Sequence, residues 1–152
     1  MLAQLFANLQ SGIWHVAHDE FEAWRAQADL NTLTSSLPKA DAHDVQQSEW
    51  LDRLFGKEPK MEQAGDVAII PMRGMLMRGV PYFAKRIFGI RDTAELRQDI
   101  AAAREDPKIK RVVVMADSPG GSVNLISETA SSLRSLRDQK PVTVTVDGLL
   151  AS

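Results

Sequence analysis

The residues best suited to chemistry are the glycines of "ADSPGGSV", 116–123, which joins an apolar run, "RVVVMA", to a segment with helical periodicity. A Gly-Gly turn between a strand and a helix can aim backbone N–H groups at a bound group. The N-terminus of the following helix adds partial positive charge. Three uses fit: a plain turn, a phosphate cradle, or an oxyanion hole for an acyl-transfer intermediate. Gly120, Gly121 and Ser122 are what such an oxyanion or substrate loop would contribute. The dinucleotide pattern Gly-x-Gly-x-x-Gly and the P-loop Gly-Lys-Ser/Thr are both missing, which weighs against phosphate. Ser118 precedes a proline and reads as a turn residue rather than a nucleophile.

Other reactive side chains are sparse. The 152 residues include no cysteine, which removes thiol catalysis, disulfides and thiolate metal sites. His15 and His18 have a spacing that brings two imidazoles together on a helix, but no third ligand is near them. No metal site is expected, and nothing asks for a cofactor. His43 lies in a polar stretch, and no spacing assembles a Ser-His-Asp triad from the three histidines. A net charge of −2 without a basic block argues against nucleic-acid binding. No apolar run approaches the roughly 20 residues of a membrane span. Residues 1–21 lack the basic n-region and long apolar h-region of a signal peptide. The expectation is a soluble, intracellular chain.

The elements that must position the glycine loop follow from periodicity. Leu2, Leu5, Phe6, Leu9, Ile13, Trp14, Ala17, Phe21 and Trp24 recur mostly at intervals of three or four, predicting an α-helical extension over residues 1–30, bent near Gly12. Residues 31–64 read as a polar linker with a short docking helix in "SEWLDRLF". Trp14, Trp24 and Trp50 read as packing anchors. From Gly65 the character changes. "GDVAIIPMRGML" is a strand region interrupted by Gly74, and "RGVPYFAKRIFG" reads as an irregular loop. Residues 92–107 form a helix, with an Asp92/Glu95 capping pattern and Leu96, Ile100 and Ala103 on one face. "KRVVVMAD" is a buried strand. Val123, Ile126, Ala130, Leu133 and Leu136 mark a helix through Arg137, and "PVTVTVDG" alternates as a strand with two different faces. Strand, helix, strand, helix, strand favours a parallel sheet. The last strand runs into "GLLAS" with nothing after it to cover it. The expectation is that the sequence is truncated or that a partner supplies the missing layer.

"DSPGGSV", the helix after it, the "VTVTV" strand and "GLLAS" together resemble the first half of peptidase family S49. That family comprises signal peptide peptidases and phage head-maturation proteases within the ClpP/crotonase superfamily. "GDVAIIPMRGML" is similar to the family's Ile-Pro-x-x-Gly opening strand. "DTAELRQDIAAAREDPKIKRVVVMADSPGG" is similar to the helix and strand that follow. Ser-Pro-Gly-Gly also occurs in ClpP peptidases, but the opening strand and "EDPKIKRVVV" favour S49. The resemblance implies an α/β fold: an incomplete ClpP/crotonase-like parallel β-α-β-α-β core at 65–152, truncated at the nucleophile, with an α-helical N-terminal extension. It implies a Ser-Lys dyad endopeptidase. Ser152, matching the serine of the family's Gly-x-x-Ala-Ser turn, attacks the scissile carbonyl. N–H groups at Gly120 or Gly121 and around Ser152 hold the oxyanion.

The family's base lysine lies downstream of that serine. None of Lys39, Lys57, Lys60, Lys85, Lys108, Lys110 and Lys140 matches it, and only Lys85 sits in a loop that could face a site. The resemblance therefore implies that the chain alone is inactive. Its helical extension is more like the phage capsid protease than the membrane-bound peptidase. That implies polypeptide substrates such as capsid scaffold or portal proteins, a homo-oligomer when complete, no nucleic acid, no membrane span and no cofactor. The setting implied is the cytoplasm of a bacterium or phage-infected host, or a prohead. Two other readings stay open: a non-catalytic scaffold or assembly protein that uses the half-fold to oligomerise, and a crotonase-type acyl-CoA enzyme that would not need Ser152.

Overall fold

The computed structural model describes residues 14–16, 52–53, 57–58, 60–123 and 126–151. They form a mixed α/β structure with two four-stranded sheets and three helices. The first sheet has the order β2 (Glu62–Ala64), β3 (Val67–Arg73), β6 (Arg111–Ser118), β8 (Val142–Leu150). β3, β6 and β8 are parallel, and β2 is an antiparallel hairpin partner of β3. Parallel neighbours need crossovers, which helices α2 (Thr93–Glu105) and α3 (Ile126–Arg137) supply. Alternation decides which side chains reach them. Ala68 and Ile70 of β3, and Val112 and Val114 of β6, point to one face. There they pack with Leu96, Ile100 and Ala103 of α2, with Leu136 of α3, and with Ile109. Each large aliphatic side chain buried this way contributes about 1.5–3 kcal/mol. Asp92 starts α2 as expected, its Oδ1 accepting from Ala94 N–H at 2.7 Å. Its Oδ2 accepts from Gly79 N–H at 2.9 Å, so the cap also fixes the preceding loop.

The second sheet has the order β1 (Trp14–Val16), β7 (Gly120–Ser122), β4 (Met75–Met77), β5 (Ile90–Asp92). β4 is parallel to both β5 and β7, while β1 is antiparallel to β7. Helix α1 (Tyr82–Phe88) joins β4 to β5. Met75, Met77, Val80, Ala84 and Ile90 form its separate apolar cluster. The two sheets share corners, because β3 passes into β4 at Gly74 and β6 passes into β7 at Pro119.

Several expectations need correction. Residues 82–88 are a helix, not an irregular loop. Pro81 before its first turn and Gly89 just past its end are the signal for it. Trp14–Val16 are a strand, against the helical periodicity of residues 2–28, because they pair with the edge of β7. The rest of that extension lies outside the described residues. Of the "SEWLDRLF" helix only Asp52 and Arg53 are described, and both are helical. β6 is buried on one face and half-buried on the other, rather than buried throughout. Ile126 lies in α3 but is 45% exposed, outside the core.

Candidate active site

β3, β6 and β8 deliver Gly74, residues 118–122 and residues 148–151 to the same, carboxyl end of their sheet. That end is where open α/β sheets carry their sites. The tie between the pieces is Ser118, whose side chain is buried. Its Oγ donates to the Gly74 carbonyl at 2.7 Å and accepts from Gly120 N–H at 3.2 Å. Gly74 N–H donates in turn to the Asp117 carbonyl at 2.8 Å. The hydroxyl therefore clasps the β3–β4 corner to the β6–β7 corner, a turn role consistent with its sequence reading.

The structure gives both loop glycines a steric reason. Gly120 has a φ of +110°, which a side chain would strain. At Gly121 an added Cβ would lie 2.0 Å from the Leu76 carbonyl oxygen, because β7 runs directly against β4. Both are buried, and Gly120 N–H is engaged by Ser118. Ser122 is half-buried, in register with Trp14 of β1.

The end of β8 folds onto the same corner. Leu149 N–H donates to Asp117 Oδ1 at 3.1 Å, and Ala151 N–H donates to the Ser118 carbonyl at 3.1 Å. Gly148 has a φ of +149°, and a Cβ there would meet the Asp117 carboxylate at 2.4 Å. Asp117 is thus a residue of this corner that sequence reasoning missed. Its only signal was a carboxylate directly before Ser-Pro-Gly-Gly. Ser152 lies outside the described residues.

No family model matches the chain. A curated protein does. Over 92 residues the chain is 34% identical to Protease 4 of Salmonella typhi. The match takes in 60% of this chain and 14% of Protease 4, so the chain spans about one seventh of that protein's length. The similarity is a distant S49-like relationship and carries a peptidase-family resemblance.

With Protease 4 as a distant relative, the positions of the lysines matter. Lys85, the one lysine expected in a loop facing a site, lies buried in α1. Its Nζ donates to Glu58 at 2.8 Å and also to Glu95. Burial alone would push its pKa down, but the two carboxylates outweigh burial and hold it above the ordinary lysine value. Burial pushes Glu58 up, and Lys85 more than reverses that, so Glu58 sits below its ordinary value. A lysine held protonated cannot accept a proton from a serine. Glu95, expected to complete the α2 cap, is therefore an ion-pair partner instead. Lys140 donates to the carbonyls of Ala103 and Asp106 at 2.7 and 2.6 Å, closing the end of α2. Lys108 and Lys110 precede β6, one strand length of about 26 Å from the glycine corner. A pocket of about 370 Å³ lies against Asp52, Lys57, Glu58, Lys60 and Tyr82, and none of the corner residues lines it. There burial and a 2.7 Å bond to Asp52 push the Tyr82 hydroxyl up to about 12. Among the described residues no helix is long and apolar enough to cross a membrane.

Proposed function

We propose that the chain carries the nucleophile-bearing half of an S49-type serine endopeptidase on an incomplete ClpP/crotonase-like core. In this reading Ser152 is the nucleophile, and the loop at Gly120, Gly121 and Ser122 receives the oxyanion and the adjoining substrate backbone. The observation that carries it is the 3.1 Å hydrogen bond from Ala151 N–H to the Ser118 carbonyl. It ties the residue before Ser152 to the residue two before Gly120. The parallel β3-β6-β8 order and the relationship to Protease 4 support the same reading.

The Ser-Lys dyad is completed by a lysine other than the described ones, because Lys85 is held charged and Lys140 is engaged elsewhere. The chain alone is accordingly expected to be inactive. The substrates are polypeptides, with capsid scaffold or portal proteins proposed from the sequence resemblance. A fluorophosphonate probe tests this. In a polypeptide that extends past residue 152 the probe labels Ser152, and Ser152→Ala abolishes labelling. Labelling of another serine overturns the assignment. Casein turnover by residues 1–152 that is lost on Ser152→Ala overturns the need for a further lysine.

A second reading, a non-catalytic assembly protein, is favoured by the exposure of Val144, Val146 and Leu150 along β8. A stable homo-oligomer that forms without any fluorophosphonate labelling of the extended polypeptide would select it.

A further inference from the structure

The second sheet contains a pairing that the core does not require. β1 is three residues long, and it joins the sheet across roughly a hundred residues of chain, antiparallel to β7. Its register is Trp14 with Ser122, His15 with Gly121 and Val16 with Gly120. Without β1, β7 would be the edge strand, since β4 occupies its other side. β7 consists of the two loop glycines and Ser122. An exposed strand edge is a template for an added extended segment, with main-chain hydrogen bonds giving affinity.

The geometry points to the outer edge of β7 as the docking edge for an extended polypeptide, which the chain's own Trp14–Val16 occupies as an internal competitor. This rests on the peptidase reading of the Gly120–Gly121 loop. A peptide that adds to the loop as a strand must run along that edge, and β1 already lies there in extended form. The register sets the pairing at His15 opposite Gly121. Gly121 also sits against Leu76 with no room for a side chain, so β7 cannot shift sideways to accept a second strand on its inner side. One segment at a time can hold the edge. A polypeptide added in trans therefore displaces β1, and removing β1 opens the edge.

The test uses the whole chain and a fluorescein-labelled peptide, "SGIWHVAHD", matching residues 11–19. Consecutive N–H groups of a strand point to opposite sides, so one of those at His15 and Val16 faces β7. The double variant His15→Pro with Val16→Pro removes both donors. The variant is expected to bind the peptide at least tenfold more tightly than the unmodified chain by fluorescence polarisation. The same peptide N-methylated at both positions is expected to lose that binding. Equal affinity for the two chains, or undiminished binding of the N-methylated peptide, overturns the proposal. Should the variant not fold by circular dichroism, hydrogen exchange on the unmodified chain decides. Added unlabelled peptide is expected to release protection at residues 14–16 while the β7 amides stay protected, and unchanged protection at 14–16 overturns the proposal. Neither readout needs bond cleavage. A failure of serine labelling with displacement intact removes the peptidase reading, whereas labelling without displacement removes the internal competitor.

Discussion

Ser118 donates to the Gly74 carbonyl and accepts from Gly120 N–H, so an alanine there leaves two backbone groups of a mostly buried corner without their partner. The expected cost is about 2 kcal/mol, read as a lower urea midpoint with an unchanged slope. Gly121→Ala meets backbone rather than a side chain, and the Leu76 carbonyl cannot rotate away. It is expected to lose about 3 kcal/mol or to separate β7 from β4, visible as loss of amide protection at residues 120–122. Asp117 and Gly148 form a pair that a double-mutant cycle isolates. Gly148→Ala drives its Cβ into the Asp117 carboxylate. In an Asp117→Ala background the same change should cost less, by about 1 kcal/mol, because the clash is gone and only the backbone strain at φ +149° remains. Additive costs would show that the Cβ–carboxylate contact does not matter.

At the scale of elements, α1 is held to α2 through Lys85, which pairs with Glu95 of α2 and with Glu58. Lys85→Met takes from Glu58 its buried ion partner and leaves Glu95 with Arg91 at 3.9 Å, and is expected to destabilise by about 2 kcal/mol at neutral pH. The pH dependence follows from the directions of the shifts. Lys85 is raised, so its contribution is complete below its ordinary value of 10.5 and is lost as pH rises through its folded value. Glu58 is lowered, so its contribution is present above its ordinary value of 4.5 and is lost as pH falls through its folded value. Wild type and Lys85→Met should therefore differ most between those limits and converge in acid. Urea titrations across pH measure this, and a gap that does not begin to narrow as pH falls below 4.5 contradicts it. Legibility differed among the helices for a physical reason. α2 was readable because Asp92, Leu96, Ile100 and Ala103 report a cap and a single buried stripe. α1 was not, because its seven residues present Lys85 and Arg86 within a short apolar run, and their ion partners are remote in sequence.

For the whole molecule, the layer arrangement leaves β8 open. Val144 and Val146 stand in register beside Val114 and Ala116, on the face that the helices cover over β3 and β6, yet they are 54% and 52% exposed. Val146→Lys is expected to lower apolar-dye binding and concentration-dependent association without changing the urea midpoint. Sedimentation velocity and dye fluorescence measure this, and unchanged association would place the sticky surface elsewhere. The sequence by itself determined the parallel β3-β6-β8 core, the α2 and α3 crossovers and the glycine corner. These rest on local signals: alternation in "VTVTV", the α2 stripe, and the turn chemistry of Ser-Pro-Gly-Gly, although its glycines continue into strand β7 rather than directly into a helix. Only the tertiary structure decided that β3 and β6 each turn into a second sheet, that Asp117 holds the end of β8, that Lys85 is locked by Glu58 and Glu95, and that Trp14–Val16 lie on β7. Each of these joins groups far apart in the chain. Backbone pairing and charge pairing across such separations leave no periodic trace in the sequence, so they become visible only when the chain is folded.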